Sequence, residues 1–278
     1  MKKKILRALT IGFLMMPVPA LALTTDWVEV KGGAVRLIID GEREGTAYRG
    51  GVEFMLEPGW HTYWRFPGEA GIPPQFDWDG SANLADIDIR YPVPERYDDG
   101  FSTSIVYHDG IVLPFFAEPE DPGKPLDLDL NLFFGVCNEI CVPGDARFAV
   151  TLKPELEKDS LARRLIERDL ENVPQAASQT ASWQFEVTRN SASDKPSLSI
   201  SANIPDDSHA VELFAAGPEG SYIGVPKLGS HVNGVAIWEL SSSGLLSGPN
   251  GKTYLDLVLI QDGRGTETRI DLPDDSLK

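Results

Sequence analysis

Between residues 126 and 132 the chain alternates strictly, with Leu126, Leu128, Leu130 and Leu132 on one face and Asp127, Asp129 and Asn131 on the other. A period of two predicts a strand with one side on a core and the other on water. Shorter runs of the same kind fill the stretch from Trp27 to about Leu152: AVRLIID, VEFML, ADIDIRY, TSIVYH, IVLPFF and ARFAVTL, punctuated by Gly and Pro. Residues 159 to 171 change period. Leu161, Leu165, Ile166 and Leu170 are spaced for one helical face, Asp159 is available as N-cap, and Pro174 stops the helix. QAASQTAS then reads as a linker. A second β series follows, with WQFEVT, SLSISA, AVELFAA, VAIWEL, YLDLVLIQ and TETRIDL. The pattern predicts an all-β chain of two tandem β-sandwiches joined by a short helical connector.

The N-terminus adds a compartment. Residues 1–22 combine a basic start (Lys2, Lys3, Lys4, Arg7), an apolar run from Ala8 to Val18 and an Ala20-Leu21-Ala22 ending. That is the make-up of a secretory signal cleaved after Ala22. Pro17 and Pro19 interrupt the apolar run, which falls short of the roughly 20 residues a spanning helix needs. No later segment is apolar enough to span, so the expectation is a bacterial periplasmic protein with no membrane span after cleavage. The expected organisation is a signal at 1–22, a first sandwich at 23–156, helix and linker at 157–180, and a second sandwich at 181–278.

Charge narrows the partners. The 278 residues carry 25 Lys plus Arg and 42 Asp plus Glu; losing the four basic residues of the signal leaves 21 against 42, a net charge of −21. Such a surface repels nucleic acid and anionic lipid.

The chain has two cysteines, Cys137 and Cys141, with three residues between them. Continuing the alternation puts Phe134 and Val136 inside and Cys137 outside, unless Gly135 seats a bulge. Pro143-Gly144 marks a turn, which sets the cysteines at the rim of a sandwich. Four extended steps would separate the two Cα atoms by about 13 Å, beyond the roughly 7 Å a disulfide tolerates, so a bonded pair needs Asn138-Glu139-Ile140 to fold back. So small a loop stabilises by only about 2 kcal/mol in the chain-entropy estimate. A staple, a redox couple and a soft-metal site all remain open at this point. Two thiolates suit Cu(I), but the histidines, His61, His108, His209 and His231, show no spacing that predicts a shared site. No metal or other cofactor is predicted. Gly-x-Ser-x-Gly, His-Glu-x-x-His and phosphate-loop patterns are absent, which leaves hydrolase readings without support.

Residues 57–78 concentrate Trp60, Tyr63, Trp64, Phe66, Phe76 and Trp78 among Gly and Pro. Core packing is the simplest use of these rings, with a carbohydrate platform as the alternative. The segments PGWHTYWRFPGEAGIPPQFDWDGSANL, YPVPERYDDG and GVCNEICVPGDARFAV together resemble the N-terminal periplasmic region of the DsbD family of disulfide reductases, in its ScsB or suppressor-of-copper-sensitivity branch. The resemblance covers about residues 27–155 by motif and continues to the end in architecture.

The resemblance implies that both sandwiches are immunoglobulin-like. It implies that Cys137 and Cys141 shuttle between dithiol and disulfide and pass electrons to a periplasmic thioredoxin-fold partner, with Cys141 attacking. It also implies a cap loop at YDDGFSTS, in which Phe101, or failing it Tyr97, shields the pair. Glu139 and Asp145 beside the cysteines argue against a highly reactive free thiol, because negative charge raises a thiol pKa. Full-length family members continue into a membrane domain and a thioredoxin-like domain that these residues do not contain, so a separately encoded membrane protein is the expected electron donor. The competing expectations are a non-catalytic interaction module with a structural disulfide and a copper-handling periplasmic protein.

Overall fold

The computed structural model describes residues 23–177, 184–189, 196–204, 211–261 and 263–272. The expected signal and part of the expected linker lie outside the described residues. In chain order the strands are β1 (Val28–Val30), β2 (Gly33–Glu44), β3 (Ala47–Leu56), β4 (His61–Gly68), β5 (Gln75–Asp77), β6 (Leu84–Ile89), β7 (Glu95–Asp98), β8 (Thr103–His108), β9 (Gly110–Pro119), β10 (Leu126–Cys137) and β11 (Cys141–Leu152). The helix α1 (Ser160–Leu170) follows. Then come β12 (Gln175–Ala176), β13 (Phe185–Arg189), β14 (Ser197–Asn203), β15 (Val211–Ala216), β16 (Lys227–Val232), β17 (Val235–Ser241), β18 (Thr253–Gln261) and β19 (Arg264–Leu272).

The strands form two sandwiches, as the pattern predicts. In the first, the sheet β1-β2-β3-β9-β6 faces the sheet β11-β10-β4-β8-β7, with β5 added to β10. The leucines of the alternating stretch, with Phe134 and Val136, are buried against Val35, Leu37, Ile39 and Phe54 of the opposite sheet. Phe54 and Phe134 meet edge to face at 5.2 Å, a geometry that adds to the area such rings bury. The second sandwich pairs β12-β19-β18-β15 with β13-β14-β17-β16. Leu198, Ile200, Trp238 and Leu240 pack there against Leu213, Leu257 and Leu259.

The register of β10 with β11 corrects two local expectations. Pairing runs unshifted from Leu126↔Leu152 to Cys137↔Cys141, so Gly135 seats no bulge and Pro143-Gly144 lies inside β11 rather than in a turn. The reason is packing. Gly144 stands opposite Phe134, and a Cβ there would come within 2.8 Å of the Phe134 ring. Gly144→Ala should therefore overpack this end of the core and cost about 1–3 kcal/mol, read from the urea midpoint at unchanged m-value.

The helix begins as predicted, with the Asp159 carboxylate accepting the N–H groups of Leu161 and Ala162 at 2.9 and 3.0 Å. Its buried face differs from the expected one. Ala162 and Ile166 pack on Ile38 and Val112, while Leu161 is 58% exposed. The third buried position is Asp169, whose Oδ2 accepts the Val112 N–H at 2.7 Å and pairs with Arg168 at 2.6 Å. A carboxylate that completes a sheet's hydrogen bonding holds the place an apolar residue would take. The connector is thus fastened to the first sandwich.

The aromatic stretch is mostly structural, as expected. It contains β4, which the Pro and Gly punctuation conceals. Tyr63, Trp64 and Phe66 are buried, and Trp60, Phe76 and Trp78 pack against the core. From β4 and β7 the chain also grips the second sandwich. Trp64 meets Phe214 at 6.1 Å between ring centroids, Arg65 pairs with Glu267, and Arg96 donates to the carbonyls of Leu213 and Pro226 at 3.3 and 3.1 Å. Among the described residues no helix is long and apolar enough to cross a membrane.

Candidate functional site

The β10–β11 hairpin closes on the cysteines. Cys137 ends one strand and Cys141 begins the next, their Cα atoms are 4.1 Å apart, and the two are joined as a disulfide. Asn138-Glu139-Ile140 forms the fold-back that bonding requires, with Ile140 60% exposed. Cys137 occupies the outer face, as the alternation predicts, yet it is 1% exposed, while Cys141 is open to solvent. The outer face is covered at this point: Tyr63, Val106 and the partly buried Tyr97 pack around Cys137.

Cross-strand pairing sets a row of four side chains along the sheet. Cys141 opposes Cys137, Cys137 opposes His61 on β4, and His61 opposes His108 on β8. Directly opposed residues share a face, so the cysteines and two histidines stand side by side. Sequence spacing gave no hint of this, because 47 positions separate the two histidines and only the sheet brings them together.

Tyr63 lies next to this row. Its hydroxyl is 2.7 Å from Cys137 Sγ and 3.1 Å from Cys141 Sγ. Burial, reinforced by the nearby Asp99 and Tyr97, pushes its pKa up to about 12, so the phenol stays protonated and donates to sulfur. The ring fits because Gly71, at φ +124°, has no Cβ: one placed there would be 2.1 Å from the Tyr63 ring.

His61 is 3% exposed. It meets Tyr63 edge-on at 5.5 Å, Tyr97 at 5.0 Å and His108 at 5.5 Å. Burial, with His108 adding to it and Asp99 opposing, lowers its pKa to about 4. His108 engages Glu95 through Nδ1 at 3.0 Å. The Nδ1 of His61 is buried with no hydrogen-bond partner among the described residues.

The two cap candidates separate. The β7–β8 turn is organised by Asp99, which accepts the N–H groups of Phe101 and Ser102 at 2.8 Å each. Those backbone bonds hold its carboxyl below the usual carboxylate range. The turn directs Phe101 outward, 99% exposed and away from the sulfurs. Tyr97 is the ring that packs against the cluster of Tyr63, Val106 and Cys137. Of the residues singled out from the sequence or its resemblance, Cys137, Cys141 and Tyr97 lie together and Phe101 lies apart, while Tyr63, His61 and His108, which stand beside the cysteines, were not among them. The only signal was the HTY triplet at 61–63, and its alternation placed His61 and Tyr63 on one face only once β4 was known to be a strand.

Residues 35–153 match the family described as "Thiol:disulfide interchange protein DsbD, N-terminal". In solved structures, the N-terminal periplasmic domain of ScsB from Proteus mirabilis is similar with a TM-score of 0.68 at 20% identity, over 90% of this chain and 98% of that one. That likeness shows a shared fold extending across both sandwiches. The reduced N-terminal domain of Neisseria meningitidis DsbD aligns over 46% of this chain and 92% of that one, at 20% identity and a TM-score of 0.29. No curated protein matches the chain. The disulfide hairpin, its tyrosines and its histidine row all fall within residues 35–153, the stretch that matches the DsbD N-terminal family.

Proposed function

We propose that this protein performs thiol–disulfide exchange in the periplasm, passing two electrons from the Cys137/Cys141 dithiol to an oxidised thioredoxin-fold protein. The observation that carries the reading is the asymmetry of the disulfide, with Cys141 open at the rim and Cys137 covered by Tyr63 and Tyr97. Exchange proceeds by attack of a thiolate on a disulfide, and access decides which sulfur can take part. Cys141 is accordingly the attacking cysteine and Cys137 the one that resolves the mixed disulfide. Tyr97, rather than Phe101, serves as the cover. Electrons arrive from a membrane-embedded donor. Residues 23–156 form the redox unit, with α1 fastened to it by its contacts with Ile38 and Val112. The second sandwich holds β4 in place.

A structural staple and a redox couple differ in potential. Equilibration with a graded series of dithiothreitol redox buffers should place the pair above about −300 mV, the level below which structural disulfides in secreted proteins typically fall. A potential well below that would assign the bond to stability and leave an interaction module in place of an electron carrier.

A further inference from the structure

We infer that His61 is the proton acceptor for Cys137: when the pair is reduced, this buried imidazole takes the Cys137 thiol proton and holds it until a departing sulfur needs it. The inference rests on the exchange reading above and adds to it a residue that the cysteine motif does not contain.

Three observations carry it. His61 directly opposes Cys137 in register, and the Cβ atoms of such pairs lie about 4.5–5.5 Å apart on one face. The imidazole is almost wholly enclosed. Its Nδ1 is buried and unpartnered, although a buried polar atom left unpaired costs about 1–3 kcal/mol. A histidine that only filled space would be better replaced by an apolar ring.

The groups facing His61 are Tyr63 on its own strand, Tyr97 from β7, His108 from β8 and Cys137 from β10, with the charge of Asp99 reaching it from the β7–β8 turn. Glu95 is engaged by His108. Of these only Asp99 favours the imidazolium in the disulfide state, and burial outweighs it. Reduction changes the sign of the surroundings. A thiolate at Cys137 puts a negative charge against the ring, which raises a histidine pKa, while the Tyr63 hydroxyl donates to the same sulfur.

In the exchange, the Cys141 thiolate attacks a partner disulfide, forms the Cys141–partner bond and expels one partner sulfur as thiolate. The Cys137 thiolate, its proton already on His61, then attacks Cys141 Sγ. The bond to the partner breaks, and the second partner sulfur leaves as a thiolate that receives the proton from His61. Two electrons have passed to the partner, the chain keeps its disulfide, and His61 is neutral again. The proton shed by Cys141 and the one gained by the first partner sulfur pass through water.

The deciding experiment is an NMR titration of the imidazole nitrogens in the full chain, oxidised and then reduced with dithiothreitol, across about pH 4 to 8 around the ordinary histidine value. The midpoint of His61 should rise by at least about one unit on reduction, as an adjacent opposite charge requires. The same midpoint in both states overturns the inference. A second arm follows re-oxidation of the reduced chain by glutathione disulfide, with acid quenching and mass spectrometry to count the mixed disulfide. In His61→Gln and His61→Phe the adduct should form at the wild-type rate and close about 10²-fold more slowly, the usual size of a lost general base. His108→Gln should close nearly as fast as wild type. Wild-type closure in both His61 variants also overturns the inference. The titration needs no partner, so a chain unable to reduce any thioredoxin-fold protein would sink the functional reading and leave the His61 comparison decisive.

Discussion

With Cys137 replaced by Ser, a covalent complex with an oxidised thioredoxin-fold protein should accumulate; with Cys141 replaced by Ser, far less should form. The difference follows from position on one hairpin. Cys141 starts β11 in the open, next to an exposed loop, so a partner sulfur can line up with it. Cys137 lies beneath Tyr63, Val106 and Tyr97, and a partner would have to displace those side chains to reach it. Without Cys137 nothing resolves the bond that Cys141 makes. We expect a yield ratio of about tenfold or more on non-reducing gels, because exchange rates follow the accessibility of the sulfur. Equal trapping by both variants would make the two cysteines equivalent and remove the role assigned to the cover. Trapping by neither, with the wild type shown to be reduced, would leave the disulfide a structural bond.

The parts of this arrangement that could be read from sequence are those in which one periodicity governs one element. Residues 126–132 declare their strand because β10 has a core on one side and water on the other. The reading fails where both faces are covered. Every residue of β4 but Arg65 is buried, so His61 through Gly68 shows no alternation, and Pro67 disguises it further. For the same reason Cys137 was expected in solvent: its face was identified correctly, but the lid over that face comes from β4, β7 and β8, which are distant in sequence. The helix was found by its spacing, whereas its orientation depends on Asp169 bonding to Val112, a contact no hydrophobic pattern encodes. Of the site, the cysteines were legible as a motif. The histidine row arises only from strand register.

Phe214→Ala should weaken both sandwiches at once. Phe214 is fully buried on β15, packs against Trp64 of β4 and lies under the Arg96 guanidinium at 5.5 Å. Truncating a buried phenylalanine costs about 3–5 kcal/mol, transfer and cavity together. Here the cavity opens where the two sandwiches meet, so the loss should extend beyond the second sandwich. Trp64 follows Tyr63 on the strand that also carries His61, and loosening it frees the strand that covers Cys137. We therefore expect two readouts to move together: a urea midpoint lowered by that amount, and faster hydrogen exchange at the amides of β4 and β8 under native conditions. Ile200→Val, inside the second sandwich's own core, provides the comparison; it should cost only about 0.5–1.5 kcal/mol and leave the β4 amides as protected as in wild type. If Phe214→Ala lowers stability while β4 keeps its full protection, the second sandwich does not support the redox site, and the rigidity of the Cys137 cover must come from the first sandwich alone.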